Sequence, residues 1–269
     1  MDLELAGNVA VVVGAARGIG LGIAEAFVAE GASVAFLDRD PAVTEVVGRL
    51  QAGASAPLLA QVIDATDYAQ LVSAAERIEK VLGQVAHVVY AAGVGSGKTG
   101  FPFWNIEPAE WEPVLRVNIL GAVHAIYAFM PPMIERQKGT FLFLGSVAGQ
   151  TGSQTDPPYS ASKAALINFA QCAAKDLAPY NIRVNTLNPG MVNTELSRRI
   201  WAASNPHLPP AERPDYDSWA KDKLKRMVPL NRWQEPQDIG AMAVFLASER
   251  ARNVTGQAIN VDGGYVMHS

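Results

Sequence analysis

The chain has 269 residues, 49% of them hydrophobic, with 26 acidic against 22 basic side chains and a formal charge of −4 at pH 7. That length accommodates one large α/β domain with a sizeable core, and the acidic excess excludes the broad positive surface that binding nucleic acid or an anionic membrane requires. Small molecules are the expected partners, and the single cysteine, Cys172, excludes an internal disulfide.

In chain order, Val9–Val13 reads as a first strand, followed by a helical pattern over Ile19–Glu30. Strands are predicted at Ser33–Leu37, Leu58–Ile63 and Val85–Tyr90, separated by helices over Pro41–Leu50 and Tyr68–Leu82. A long helical stretch, Pro108–Arg136, leads to a strand at Thr140–Leu144, and a second, Pro158–Ala178, leads to one at Ile182–Leu187. The helix Pro236–Ser248 and the strand Ala258–Val261 close the series. Short β-branched runs alternating with longer helices predict a parallel sheet with crossover helices on both faces. The exception is Thr194–Pro229, broken by Pro206, Pro209, Pro210 and Pro214 and rich in Trp, Lys and Arg; it reads as an insertion over a site.

Several segments carry negative expectations. Cys172 falls in a helical pattern and is expected to be a buried structural thiol. His87, His124, His207 and His268 are scattered without metal-ligand spacing, so no metal is predicted. Residues Met1 to Gly7 do not read as a secretory signal. The apolar stretch Ile119–Ile134, interrupted by His124 and the Pro131–Pro132 pair, is too short for a membrane span. A soluble, cytoplasmic protein is expected.

The first chemical motif is Gly14-Ala15-Ala16-Arg17-Gly18-Ile19-Gly20, directly after a strand and leading into a helix. Gly14 permits a tight turn, while Gly18 and Gly20 let the backbone approach a pyrophosphate favoured by the helix N-terminus. Three residues separate Gly14 from Gly18, which departs from the simplest GxGxxG spacing. Asp38, at the end of the second strand, is placed to accept hydrogen bonds from both adenosine ribose hydroxyls and to repel a 2′-phosphate, favouring NAD over NADP. Arg39 beside it offers a contact to that phosphate, and Arg17 a phosphate contact or simply a surface charge. Without the glycine loop, Asp38 would read as a solvated turn residue.

The second motif, Tyr159-Ser160-Ala161-Ser162-Lys163, puts Tyr159 and Lys163 on one helix face. An ammonium near a phenol lowers the phenol pKa towards the working pH, as general acid–base catalysis requires. Alone, such a pair reads as an amphipathic surface.

Together these motifs resemble the short-chain dehydrogenase/reductase family, over nearly the whole sequence. The match comprises Gly14 to Gly20, Asp64 after the third strand, Ala91-Ala92-Gly93 after the fourth, Asn118, Ser146, Tyr159 with Lys163, Asn188-Pro189-Gly190 and Val261-Asp262-Gly263-Gly264. The resemblance implies a single Rossmann-like, doubly wound domain of seven parallel strands spanning residues 1–269, with 194–229 as a lid over the substrate, and a homotetramer. It implies that Ser146 hydrogen-bonds the substrate oxygen, that Tyr159 exchanges its proton, that Lys163 tunes Tyr159 and binds the nicotinamide ribose, and that Asn118 holds a water of the proton relay. It places Asp64 at the adenine amino group with a backbone contact from Ala65, has Ala91, Ala92 and Gly93 line the ribose, and sets Pro189, Val192 and Thr194 at the carboxamide of nicotinamide. Asp64 reads equally as the cap of the adjacent helix.

Two positions depart from the family pattern: Val13 stands where many members have threonine, and Tyr90-Ala91 where an Asn-Asn pair is usual. For the substrate, Trp201, Trp219 and Met191 offer an apolar wall, while Arg198, Arg199, Lys221, Lys223 and Lys225 either reach a carboxylate or form a solvated helix face. The leading expectation is an NAD-dependent dehydrogenase of a small polar hydroxy compound: a sugar, sugar acid or polyol. A reductase of 3-oxoacyl thioesters or other ketones, and a non-catalytic dinucleotide-binding scaffold, stay open as alternatives.

Overall fold

Val9–Val13 (β1) carries no polar side chain, and all five residues are buried. Val9, Val11 and Val13 belong to one hydrophobic cluster, Ala10 and Val12 to another. A period of two with both faces apolar is what a strand between two helical layers demands. β1 pairs in parallel with Ser33–Asp38 (β2) on one side and Val85–Tyr90 (β4) on the other. With Leu58–Val62 (β3), Gly139–Leu144 (β5), Ile182–Pro189 (β6) and Ala258–Val261 (β7), the seven strands form one sheet in the order β3-β2-β1-β4-β5-β6-β7. The computed structural model describes residues 2–98, 100–204 and 213–267. Pro206, His207, Pro209, Pro210 and His268, and the side chain of Arg199, lie outside the described residues.

Helices Gly18–Ala29 (α1), Ala42–Gln51 (α2) and Pro236–Ala247 (α9) cover one face of the sheet through Ile23, Phe27, Val43, Val46, Ile239 and Val244. Tyr68–Leu82 (α3), Gly121–Arg136 (α5) and Pro157–Leu177 (α6) cover the other through Leu71, Ile78, Ile126, Phe129 and Leu166. Each such side chain taken fully out of water contributes about 1.5–3 kcal/mol. The strands follow the alternation seen in the sequence, with β5 starting one residue earlier, at Gly139, β3 ending one earlier, at Val62, and β2 and β6 running further. β2 runs on to Asp38 and β6 to Pro189, because Asp38 pairs with Val62 and Pro189 with Val261.

The stretch Pro108–Arg136 is one continuous helical run of changing pitch: a 3₁₀ turn at Pro108–Glu110, an α-helix at Trp111–Leu115 (α4), a π turn at Arg116–Leu120, and α5. By length and composition alone this run is as long and apolar as a membrane span, longer than the Ile119–Ile134 window read from the sequence. In this fold Val114, Ala122, Ala125, Ile126, Phe129 and Met133 are buried, and from Ala122 to Met133 they join the core cluster over the sheet. Pro131 and Pro132 do not interrupt α5. Pro131 is exposed and Pro132 half-buried, neither among the residues that α5 buries.

Cys172 is exposed, against expectation. The buried stripe of α6 runs through Leu166, Ala170, Ala173, Ala174 and Leu177, and a residue two positions past Ala170 is turned about 200° away from it. Thr194–Pro229 is partly helical, containing Glu195–Ser204 (α7) and Tyr216–Met227 (α8).

Arg183, on β6, ties the far end of α9 to the sheet. Its guanidinium donates to the carbonyls of Leu246 (2.6 Å), Ala247 (3.1 Å), Ser248 (3.0 Å) and Val254 (3.4 Å). A cation at a helix C-terminus satisfies orphan carbonyls and complements the helix dipole. Arg183→Met should therefore destabilise the fold by about 2–4 kcal/mol, read by denaturant unfolding, with Arg183→Lys restoring only part because one ammonium cannot serve four carbonyls in a fork.

Candidate active site

At the carboxyl edge of the sheet, β1 and β4 lie side by side while their chains depart to opposite faces. The loop after β1 turns at Gly14, whose N–H donates to the Leu37 carbonyl at 2.7 Å. Its φ of +89° is a left-handed conformation, and a Cβ there would lie 2.6 Å from the Ala92 nitrogen. Only glycine meets both conditions. α1 begins at Gly18 with neither a side-chain cap nor an acid in its first turn, so its N–H groups are open to an anion. The space before Gly18 is bounded by the Thr194 methyl group, 3.8 Å from where a Cβ would stand.

Asp38 leans back on this loop: its carboxylate accepts from the Ala16 and Asp40 N–H groups, both at 2.9 Å. Arg17, offered above as a phosphate ligand, pairs instead with Asp40 at 3.3 Å, and Arg39 is exposed. Asp64 accepts from the Thr66 N–H and hydroxyl, both at 2.8 Å. The cap of α3 is not Asp64 but Asp67, which accepts from Ala69 and Gln70. Ala65 is buried, and its carbonyl meets His124 Nδ1 at 3.3 Å.

Beyond β4, the Ala91 N–H donates to the Val13 carbonyl at 2.8 Å, and Gly93 comes against the catalytic candidates. A Cβ at Gly93 would lie 3.3 Å from Lys163 Nζ and 3.6 Å from Asn118 Oδ1. Asn118, fully buried in the π turn, donates to the Val94 carbonyl (2.9 Å) and to Ser162 Oγ (2.8 Å), and accepts from the Val94 N–H (2.8 Å). Ser162 donates in turn to the Tyr159 carbonyl at 2.7 Å. The sequence reading missed Ser162, although it sits inside the Tyr159–Lys163 motif. It also missed Asp156, the cap of α6, which accepts from Ser96 N–H (2.8 Å) and more weakly from Tyr159 N–H (3.4 Å). The signal for Asp156 was the Asp-Pro pair opening a helix.

Ser146 follows β5 and opens the 3₁₀ turn Val147–Gly149, its hydroxyl accepting from Ala148 N–H at 3.1 Å. Lys163 is buried, donates to the Leu144 carbonyl at 2.6 Å, and holds its Nζ 5.4 Å from the centre of the Tyr159 ring. Burial brings the Lys163 ammonium down to about 8. Tyr159 is partly open to the cleft, yet desolvation pushes its phenol up to about 12, opposed by a hydrogen bond with Ser146 and aided by the Asp156 charge. This reverses the sequence expectation of a lowered phenol pKa. Stripping water from a phenolate outweighs one ammonium that is itself poorly solvated.

Pro189 and Val192 are buried beside this cleft, with Val192 bridged to Gln234. The expected apolar wall forms around Tyr216 and Trp233, the latter packing also against the Met191 cluster. Trp201 and Trp219 pack on Tyr216, which stacks on Trp233, and Met191 joins Leu224 and Val228. Arg198 lies 4.2 Å over the Tyr216 ring and Lys223 4.7 Å over Trp219, so neither is a free carboxylate ligand. Lys221 and Lys225 stay exposed. Among the described residues, no three His, Cys, Asp or Glu side chains gather as metal ligands.

The family profile described as enoyl-(acyl carrier protein) reductase matches residues 14–266. A galactitol 2-dehydrogenase from Agrobacterium fabrum is 34% identical over 273 residues, covering 98% of this chain and 100% of its own. An acetoacetyl-CoA reductase from Synechocystis is 32% identical over 268 residues, covering 98% and 99%. The L-sorbose reductase of Gluconobacter frateurii, solved with NADPH and L-sorbose, superposes with a TM-score of 0.89 at 28% identity over 100% of both chains. With its parallel seven-stranded sheet and with relatives that oxidise or reduce at alcohol and ketone carbons, the chain belongs to the short-chain dehydrogenase/reductase family.

Proposed function

We propose that the chain is an NAD(H)-dependent oxidoreductase interconverting a secondary alcohol and a ketone on a small polar hydroxy compound such as a sugar, sugar acid or polyol. The observation that carries this is the convergence of Ser146, Tyr159 and Lys163 beside Gly93, at the crevice where β1 and β4 diverge. The residues fit a dinucleotide: open N–H groups of α1 with Gly18, Ile19 and Gly20 for the pyrophosphate, Asp38 for the adenosine ribose, and Asp64 with Ala65 for adenine. Ala91, Ala92, Gly93 and Lys163 would take the nicotinamide ribose, and Pro189, Val192 and Thr194 the carboxamide. Two carboxylates, Asp38 and Asp40, at the end of β2 favour an unphosphorylated ribose, because Asp40 also occupies Arg17.

Bound there, nicotinamide supplies the hydride acceptor or donor at the carbinol carbon. Tyr159 gives its proton to the ketone oxygen in reduction and takes the hydroxyl proton in oxidation, while Ser146 holds that oxygen and offsets the alkoxide charge. Lys163 places positive charge behind Tyr159, and Asn118 fixes Val94 and Ser162 around it. Substrate chemistry is supported by the polyol dehydrogenase among the relatives. Residues 194–229 serve as the lid, stiffened by the Trp201–Tyr216–Trp219 cluster. A cytoplasmic homotetramer is part of this reading; its assembly is supported by exposed Leu115, Leu120 and Tyr127 along the helical run Pro108–Arg136. The second reading, a 3-oxoacyl thioester reductase, is favoured by the matched family description and the acetoacetyl-CoA reductase.

Turnover of a panel of sugars, aldonates and polyols, against acyl thioesters and bulky ketones, decides between these readings. Activity confined to the thioesters would sink the first. Tyr159→Phe should lower kcat by about 10²–10⁴-fold while leaving NADH affinity within about threefold; unaltered turnover would refute the acid–base role of Tyr159, whereas NADH binding by the native protein without any turnover would leave the scaffold alternative standing. Titration should show NADH binding about 100-fold tighter than NADPH, equivalent to about 2.7 kcal/mol, and an inverted preference would refute the role given to Asp38.

The Lys163 shift also sets a stability slope. Between about pH 8 and its usual 10.5, the unfolded chain carries a proton that the folded chain lacks, so stability rises with pH across that window. Lys163→Met should abolish turnover, raise stability at pH 7 by about 1–2 kcal/mol, and flatten this slope in thermal unfolding between pH 7 and 10.

A further inference from the structure

Tyr90 ends β4 as a fully buried aromatic where the family pattern has asparagine. Its hydroxyl donates to the Val117 carbonyl at 2.6 Å. That carbonyl belongs to the π turn. In an α-helix the Gly121 N–H would close on Val117, four residues back; here it reaches Arg116, five back. The phenol therefore meets a carbonyl that the altered pitch has released from its usual donor. The approach depends on Gly121, since a Cβ there would overlap the Tyr90 hydroxyl and stand 3.0 Å from Cζ.

The next residue in the turn is Asn118, whose amide holds Val94 by both N–H and carbonyl and reaches Ser162. The loop after β4 and the π turn are thus stapled twice in reciprocal fashion. Tyr90 grips the carbonyl just before Asn118, and Asn118 grips the backbone four residues after Tyr90. Between the two staples lie Ala91 and Ala92, packed against the glycine loop after β1, and Gly93, which faces Lys163. We propose that Tyr90, seated against Gly121, is a positioning residue that fixes the pitch of the π turn and thereby sets Asn118, Gly93 and the Ser162–Tyr159 link in register for proton transfer. Burial, reinforced by the charge of Asp64, keeps the Tyr90 phenol protonated well beyond its ordinary range, so it stays a donor wherever the enzyme works.

The inference rests on the acid–base role given to Tyr159 above, and its test is arranged to separate the two. Tyr90→Phe is measured in the native and Asn118→Ala backgrounds, on a substrate that the native enzyme turns over. Expected are a roughly tenfold fall in kcat with KM and NADH affinity within about twofold, and no further loss beyond about twofold when Asn118 is already alanine. Losses that multiply in the double variant, or a kcat unaltered in Tyr90→Phe, overturn the proposal. If Tyr90→Phe yields no folded protein, Gly121→Ala attacks the same contact from the other side and should show the same kcat-only loss; an unaltered kcat there overturns it equally. Turnover surviving Tyr159→Phe would remove the acid–base reading and this proposal together. An inactive Tyr159→Phe beside an unaltered Tyr90→Phe would remove only this one.

Discussion

The close approach of Gly14 to Ala92 is the constraint on which the site depends. β1 and β4 are hydrogen-bonded neighbours, yet the chain leaves β1 for the α1 face and β4 for the α5 face. Two departing loops at one edge open a crevice between them, and its width is set by how near their backbones come. With Ala92 backbone filling the place of a side chain at Gly14, the α1 N-terminus and the Ala91–Gly93 wall are held in fixed relation. Everything that faces the crevice inherits that spacing.

On this frame the fold places two titratable groups under opposed demands. Lys163 is worth having only if its charge is felt by Tyr159, and charge is felt most strongly where water is excluded. The same exclusion makes the ammonium easier to lose and the phenolate harder to form. The Leu144 carbonyl, at 2.6 Å from Nζ, offsets part of the loss for lysine. For Tyr159 the hydrogen bond with Ser146 offsets only part of the desolvation, and the Asp156 charge works against it. The protein by itself thus holds the Tyr159 phenol protonated.

The sheet was legible in the sequence because its central strands are buried on both faces and therefore read as apolar runs, while the edge strands Leu58–Val62 and Ala258–Val261 are only partly buried. The Tyr159–Lys163 spacing and the glycine loop were legible because helix periodicity and backbone access are local properties. What stayed hidden is what depends on partners distant in sequence. Arg17 looked available until Asp40 was brought beside it. The cap of α3 was readable, since a helix opening at Tyr68 puts Asp67 at its N-cap, and the reading of Asp64 as that cap overlooked it. Cys172 sits in an apolar helix, but the buried stripe of α6 is narrow and passes it by. The π turn at Arg116–Leu120 has no signature of its own, since it comes from the approach of Tyr90 and the clamp of Asn118, both made across the fold. Tyr159 was misjudged in sign because proximity to a lysine is visible in sequence and desolvation is not.

The aromatic cluster over α7 and α8 gives the protein a built-in optical label. Trp201, Trp219 and Trp233 are three of its five tryptophans, and all three surround Tyr216. Intrinsic emission is therefore weighted towards the segment between β6 and α9 and away from the sheet. Arg198 and Lys223, poised over the Tyr216 and Trp219 rings, make that emission sensitive to any shift in their seating. Rearrangement of this one region is open to direct spectroscopic observation with no dye attached.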